Sequence, residues 1–316
     1  MTTTNVARPA DLVKRVLPIL ALVVIVPGLA GCRRTAIRLA ADAVTGSGTA
    51  YASDDDPQLV RDAVPFGLKT MEALLGEDPH NVKLLGALAS NFTQYTYAFV
   101  QTDADRADLE GKLDAARAGR DRARKLYLRA RDYGLRGIDE RHHGASKGLG
   151  AGRDLGPALA KFEKRDVELL YWTAASWTLA ISNGKGEMGL VAELPTPIAM
   201  MERALALDES WGEGALHEFF ISLDATRSAA EGGGPERAKA HLERALELSM
   251  NKKLGPRVAY AEGVLVRQQD RASFERELRS VLDANAEEVP KYRLVNILAQ
   301  QRARLLLAHV DDLFVD

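Results

Sequence analysis

Met201-Glu202-Arg203-Ala204-Leu205-Ala206-Leu207 returns further along the chain as Leu242-Glu243-Arg244-Ala245-Leu246-Glu247-Leu248, at an offset of 41 residues (242 minus 201). Both copies are built from strong helix formers and contain no breaker. Ala204 and Ala245 hold the same register and are small enough to let a partner helix approach, while Leu207 and Leu248 fill the groove beside it. A fainter copy is Met71-Glu72-Ala73-Leu74-Leu75, which runs into Glu77-Asp78-Pro79-His80-Asn81. Repeats of this length point to stacked helix pairs, because no single pair buries its apolar face alone.

Outward from these copies the pattern is helical almost without pause. Asp56 is placed to cap a helix whose first residue is Pro57. Val60, Val64, Leu68, Met71, Leu74 and Leu75 then recur at helical spacing, and Val82, Leu85, Leu88, Ala89, Phe92 and Tyr95 continue it beyond Asp78-Pro79. A charged helix is expected over 107–133, then a Gly-rich stretch from Gly144 to Gly156. Asp166 reads as the cap of an apolar helix, Val167 to Ile181. Further helices are expected over Ile198–Leu207, Trp211–Leu223, Ala238–Leu248, Pro256–Val266, Ala272–Leu282 and Tyr292–Leu307. No alternating run is long enough for a strand, so the fold class is all-α, with one domain over 56–316. The Ala-Leu pair, acidic residue and Pro-x-Asn of 73–81 resemble the second helix of a tetratricopeptide repeat. The expected architecture is therefore a helical-hairpin solenoid of degenerate tetratricopeptide-like repeats.

The first residues follow the order of a secretory signal. Arg8, Lys14 and Arg15 precede the apolar run Val16 to Val26, and Leu29-Ala30-Gly31-Cys32 closes it. That run is too short to span a bilayer, which favours a cleaved signal peptide over 1–31. Cys32 is the sole cysteine and stands where a lipoprotein carries its lipid, leaving no thiol for disulfides or catalysis. Residues 32–55 would then be the lipidated cysteine and a spacer. Arg33 and Arg34 follow, with no Asp to hold the protein at an inner membrane, so in a Gram-negative cell the expected address is the periplasmic face of the outer membrane. The chain carries −2 and the segment 1–31 carries +2, leaving −4 on the mature protein. A mildly acidic body has no electrostatic footprint for nucleic acid.

Gly144-Ala145-Ser146-Lys147-Gly148-Leu149-Gly150 spells the glycine pattern of short-chain dehydrogenases. That pattern works only at a strand-to-helix turn. The preceding Arg136 to His143 is charged and no Tyr-x-x-x-Lys follows, so the segment reads as a flexible interhelical loop and no cofactor is expected. His142-His143 lies near Asp139 and Glu140, but adjacent helical histidines diverge and no third ligand sits at metal spacing. A solvated helix end is the better account, and no metal is expected. With no nucleophile elbow, phosphate loop or His-Glu-x-x-His, the chain is read as non-enzymatic.

Aromatic residues supply the candidate site. Phe92, Tyr95, Tyr97 and Phe99 share one segment; Tyr171, Trp172 and Trp177 share another. Tyr171 and Trp172 diverge by about 100° and cannot both face one core stripe. His217-Glu218 beside Phe219-Phe220 is either buried and paired or turned to a ligand. Tyr171, Trp172, Trp177, His217, Glu218 and Phe219 are the candidate lining of a groove or pore.

Tyr51-Ala52-Ser53-Asp54-Asp55-Asp56-Pro57, Leu169-Leu170-Tyr171-Trp172-Thr173-Ala174-Ala175-Ser176-Trp177, Gly214-Ala215-Leu216-His217-Glu218-Phe219 and Asn296-Ile297-Leu298-Ala299-Gln300-Gln301-Arg302-Ala303 occur in this order. Together with the Cys32 motif they resemble the TatT family, the tetratricopeptide-repeat-associated lipoprotein component of TRAP transporters. The resemblance implies a helical periplasmic protein working beside a TRAP-type periplasmic solute-binding protein and a membrane permease. It also implies a homo-oligomer, a trimer, with pores, and a small organic ligand such as a hydrophobic acid. The alternative reading is a generic scaffold lipoprotein of envelope assembly with no transport role.

Overall fold

The computed structural model describes residues 48–315, and every regular element among them is helical. Cys32, the signal segment and the first part of the spacer lie outside the described residues. After a short helix, Gly48–Ala52, comes α1, Pro57–Glu77. The Asp56 carboxylate accepts the backbone N–H groups of Gln58 and Leu59, so the expected cap is in place. α1 buries Val60, Val64, Leu68, Met71 and Leu75, one stripe at helical spacing. α2, Val82–Tyr95, is capped by the Asn81 side chain. It passes without a break through a π-helical turn, Thr96–Gln101, into α3, Thr102–Leu109.

α4 runs from Leu113 to Arg141, later at both ends than the expected 107–133. The helix runs on through Gly134, the residue after the expected end, and that glycine is a contact. A Cβ there would lie 2.2 Å from Thr173 Oγ1, so its absence lets α5, Val167–Ser182, pack against α4. The Gly-rich stretch is not a flexible loop either. Ala145, Leu149, Ala158 and Phe162 are buried in the α4–α5 core, and Asp139 accepts the backbone N–H and hydroxyl of Ser146. Short 3-10 and α turns replace the strand a dinucleotide loop would need.

The remaining helices are α6, Pro195–Leu207; α7, Ala215–Asp224; α8, Pro235–Leu248; α9, Gly255–Tyr260, extended by a π turn at Ala261–Leu265; α10, Arg271–Asp283; and α11, Arg293–Ala308. The two copies of the sequence echo fall on α6 and α8, with Ala204 and Ala245 wholly buried. Neighbouring helices pack in chain order: α1 on α2, α4 between α2 and α5, α6 on α5, α7 on α8 and α9, α10 on α11. The last helix then returns to the first. Leu294 of α11 is buried in one cluster with Val60 and Leu84, and Arg293 donates to the Ser53 carbonyl. Residues 48–55, expected as spacer, join the body here, with Tyr51 packed on the same cluster. The row of helices thereby closes on itself.

Candidate functional site

Closing the row gathers charged and aromatic side chains from distant helices into one cluster. Its clearest marker is Tyr97 on the π turn, where the insertion of an extra residue per turn re-aims side chains. Phe92 and Phe99 of the same segment go into the core, but Tyr97 is 57% exposed. Burial nevertheless raises its phenol well above the usual tyrosine value, with Glu262 adding to the rise, Arg302 opposing it, and Glu218 and Asp105 adding again. The ring is thus open to water yet within reach of charges from α3, α7, α11 and the π turn after α9. Tyr171 of α5 is raised in the same way, by burial and then by Glu218 and Tyr97.

The charged lining is drawn from both ends of the chain. Arg302 of α11 donates to the Glu262 carboxylate and lies 3.5 Å from Asp105 of α3. Burial works against its charge, but Glu262 and Asp105 outweigh it and the guanidinium rises above its ordinary value. Asp105 is raised, chiefly by burial, against the pull of Arg302. Lys253, in the turn before α9, donates to the Gly212 carbonyl and sits 5.4 Å from the Tyr292 ring centre. Burial lowers its ammonium, with Glu218 and Glu213 opposing. Glu218 of α7 is raised by burial, and Lys253 opposes that rise.

Beside this lining is an aromatic group. The Tyr171 ring lies 4.8 Å from Trp172 and 4.7 Å from Trp211, with Trp172 and Trp211 6.5 Å apart. Trp211 was expected to begin a helix. It stands instead on a tight turn in which Gly212, Glu213 and Gly214 all have positive φ, and the helix starts only at Ala215. Gly214 is required: at φ +94°, a Cβ would also lie 2.8 Å from the Ala245 carbonyl oxygen of α8. The turn carries the Trp211 ring onto Tyr171.

Of the residues expected to line a groove or pore, Tyr171 and Glu218 fall in this cluster and Trp172 stacks on Tyr171. Trp177 is 4% exposed, donates from Nε1 to Glu193 at 2.7 Å and lies under the Arg131 guanidinium, so it is part of the wall. His217 is likewise in the wall, 6% exposed, with Nδ1 2.7 Å from His241 Nδ1 and Nε2 3.1 Å from Glu209. Phe219 is partly buried against Phe220 and the α5–α6 core. Tyr97, Asp105, Trp211, Lys253, Glu262 and Arg302 were missed. His142 is not a solvated helix end: its Nε2 is 2.8 Å from the buried Asp166 carboxylate, which Arg141 also reaches. Asp166 therefore does not cap α5 through its side chain. It accepts the Glu163 N–H and closes a capping box over the preceding turn. Among the described residues no helix is long and apolar enough to cross a membrane.

The molecule is thus an all-helical protein with a cluster of charged and aromatic side chains drawn from both ends of the chain. Residues 53–314 match the TRAP transporter T-component family, and the chain belongs to it. It is also 31% identical over 268 residues to an uncharacterized protein of Treponema pallidum (strain Nichols), covering 84% of this chain and 83% of that relative. The chain is accordingly a TRAP transporter component.

Proposed function

We propose that this chain is the auxiliary, non-enzymatic lipoprotein subunit of a TRAP transporter, docking the periplasmic solute-binding protein and passing a small organic ligand through its interior. The observation that carries this reading is Tyr97, a phenol open to water yet surrounded by charges from α3, α7, α11 and the π turn after α9. A packed scaffold has no use for such a space, whereas a ligand path requires one. The 41-residue echo on α6 and α8 supports reading the helix pairs as degenerate tetratricopeptide-like repeats, whose surfaces commonly bind polypeptide. Lipid on Cys32 would hold the subunit at the periplasmic face of the outer membrane, and copies would assemble as a trimer.

The test is capture from chemically cross-linked, detergent-solubilised envelopes with a tag on the C-terminus. Recovery of a TRAP solute-binding protein is the expected result. Envelopes that contain such a protein but never yield it with the tagged chain would overturn the docking role.

A further inference from the structure

A second group of side chains sits at the seam where the chain closes, and a cavity joins its members. Asp56, Pro57, Gln58 and Arg61 at the start of α1, Phe99 of the π turn after α2 and Gln301 of α11 line a space of about 240 Å³. These elements are far apart in sequence and meet because α11 returns to α1. The volume falls below the range of about 300–1,000 Å³ that takes drug-sized ligands, so the occupant it fits is a small molecule. Phe99 is the most buried of the six, at 6% exposed, while Asp56, Gln58 and Gln301 are exposed and stand at the mouth.

The lining carries one charge of each sign, and each already has its counterpart. Arg61 is held bidentately by Asp103 of α3, with Nη1 3.1 Å from Oδ1, and its guanidinium lies 5.9 Å from the Phe99 ring centre. Asp56 accepts the N–H groups of Gln58 and Leu59 at 2.9 and 3.0 Å, at the positive end of a 21-residue helix. An anion in the cavity would face Asp56, Asp103 and Asp62, and a cation would face Arg61 and the helix end. What remains is neutral hydrogen-bonding capacity. The Gln58 amide nitrogen donates to Asp62 and leaves its oxygen over. Among the described residues Asp56 Oδ2 and both ends of the Gln301 amide also lack a partner. Pro57 and the Phe99 ring supply the apolar part of the wall.

We propose that the seam cavity binds a small uncharged polyol of monosaccharide size or less. Its hydroxyl groups donate to Asp56 Oδ2 and Gln58 Oε1 and accept from Gln301 Nε2, while its C–H groups lie on Pro57 and Phe99. A hydroxyl suits this lining because it donates and accepts at once. A molecule held there touches α1, the π turn and α11 together, so it braces the closure and stabilises the folded chain by mass action. Neither the docking partner nor the lipid on Cys32 enters into this assignment.

The experiment is saturation-transfer-difference NMR on the full-length protein in an amine-oxide detergent, which carries no sugar of its own. The probes are D-glucose, N-acetyl-D-glucosamine and glycerol, with choline and acetate as charged controls and Tm as a second readout. Saturable binding of at least one polyol, with a rise in Tm, is the expected outcome. Gln301→Leu should weaken it about fivefold or more, as the loss of one net hydrogen bond implies, and should abolish the rise in Tm at the same polyol concentration. Gln301 is exposed and its amide has no partner among the described residues, so the variant should keep the circular dichroism and ligand-free Tm of the wild type. Gln58→Leu takes its place as the deciding variant if Gln301→Leu does not fold. Failure of all three polyols to bind saturably, polyol affinity unchanged in the deciding variant, or displacement of the bound polyol by choline or acetate would each overturn the proposal.

Discussion

Acidification should destabilise this protein through one identifiable pair of rings. His217 Nδ1 and His241 Nδ1 stand 2.7 Å apart, a contact that needs one protonated and one bare nitrogen. Both rings therefore cannot be charged in the folded state. Glu209 and Arg244 face His217, Asp224 and Arg237 face His241, and the Phe220 ring stacks on His241 at 5.0 Å. Burial, with His217 adding to it and Asp224 opposing, pushes the His241 imidazole down to about 4 from 6.5. Burial lowers His217 as well, against the pull of Glu209. Between pH 6.5 and 4 the unfolded chain takes up a proton at residue 241 that the folded chain refuses, so this contribution is complete above 6.5 and is lost as pH falls. At about 1.4 kcal/mol per pH unit, moving from pH 7.5 to 5.5 removes roughly 1.3 kcal/mol at this one site. For a chain of this size that is a fall in Tm of about 2 °C. The assay is thermal unfolding at the two pH values for the wild type and for His241→Phe, which can keep the stacking on Phe220 but takes no proton. If the variant's Tm falls as far as the wild type's on acidification, the assignment to this pair is wrong.

Cys32→Ser should move the protein from the membrane fraction to the soluble fraction without changing its Tm, as read by fractionation and calorimetry. Gly214→Ala forces an L side chain to φ +94° and against the Ala245 backbone, so a loss of about 1–3 kcal/mol in urea unfolding is expected, together with a changed tryptophan emission as Trp211 shifts. Phe274→Ala empties a fully buried position packed on Phe314 and should cost about 3–5 kcal/mol by the same measurement. Trp177→Ala should cost a similar amount and Trp172→Ala clearly less, because Trp177 is walled in by Glu193 and Arg131 while Trp172 contacts the rings beside the interior.

The helices were legible because their apolar stripes and caps are local signals: Val60 to Leu75 marks a buried face before any neighbour is known, and Asp56 marks its start. Boundaries failed where tertiary contact overrode local pattern. The charged helix was expected to end at 133, yet it continues through Gly134, where a missing Cβ lets Thr173 of α5 approach. Trp211 looked helical because its neighbours downstream are, and the three positive φ angles that displace it are visible only in the folded backbone. The interior was half legible. Tyr171 and Glu218 stood out beside other aromatic and polar residues, but Glu262 and Asp105 are single charges on helices and Lys253 is a single charge in a turn, like dozens of others. Arg302 did leave a trace. It falls on the stripe of Ala299, Ala303 and Leu306, all buried, and a charge on an apolar stripe calls for a partner from another element.

That partner comes from the closure of the fold, and closure gives the interior its character. In an open row of helices, Asp105, Glu218 and Glu262 would border a surface groove where water solvates each carboxylate and their number carries little meaning. With α11 packed back on α1, the same carboxylates are drawn together from three elements, and each needs a specific donor. Arg302 meets that need for two of them while tying α11 to α3 and to the π turn after α9, so the ion cluster both latches the ring and satisfies part of its lining. Glu218 stands outside that latch: it faces Lys253, and its Oε1 occupies the space that a side chain at Gly255 would fill. Variants of Glu218 and of Arg302 should therefore diverge: Arg302→Met removes contacts that join three elements and should lower Tm, whereas Glu218→Gln, at a carboxylate with no hydrogen bond or ion pair among the described residues, should leave Tm close to that of the wild type.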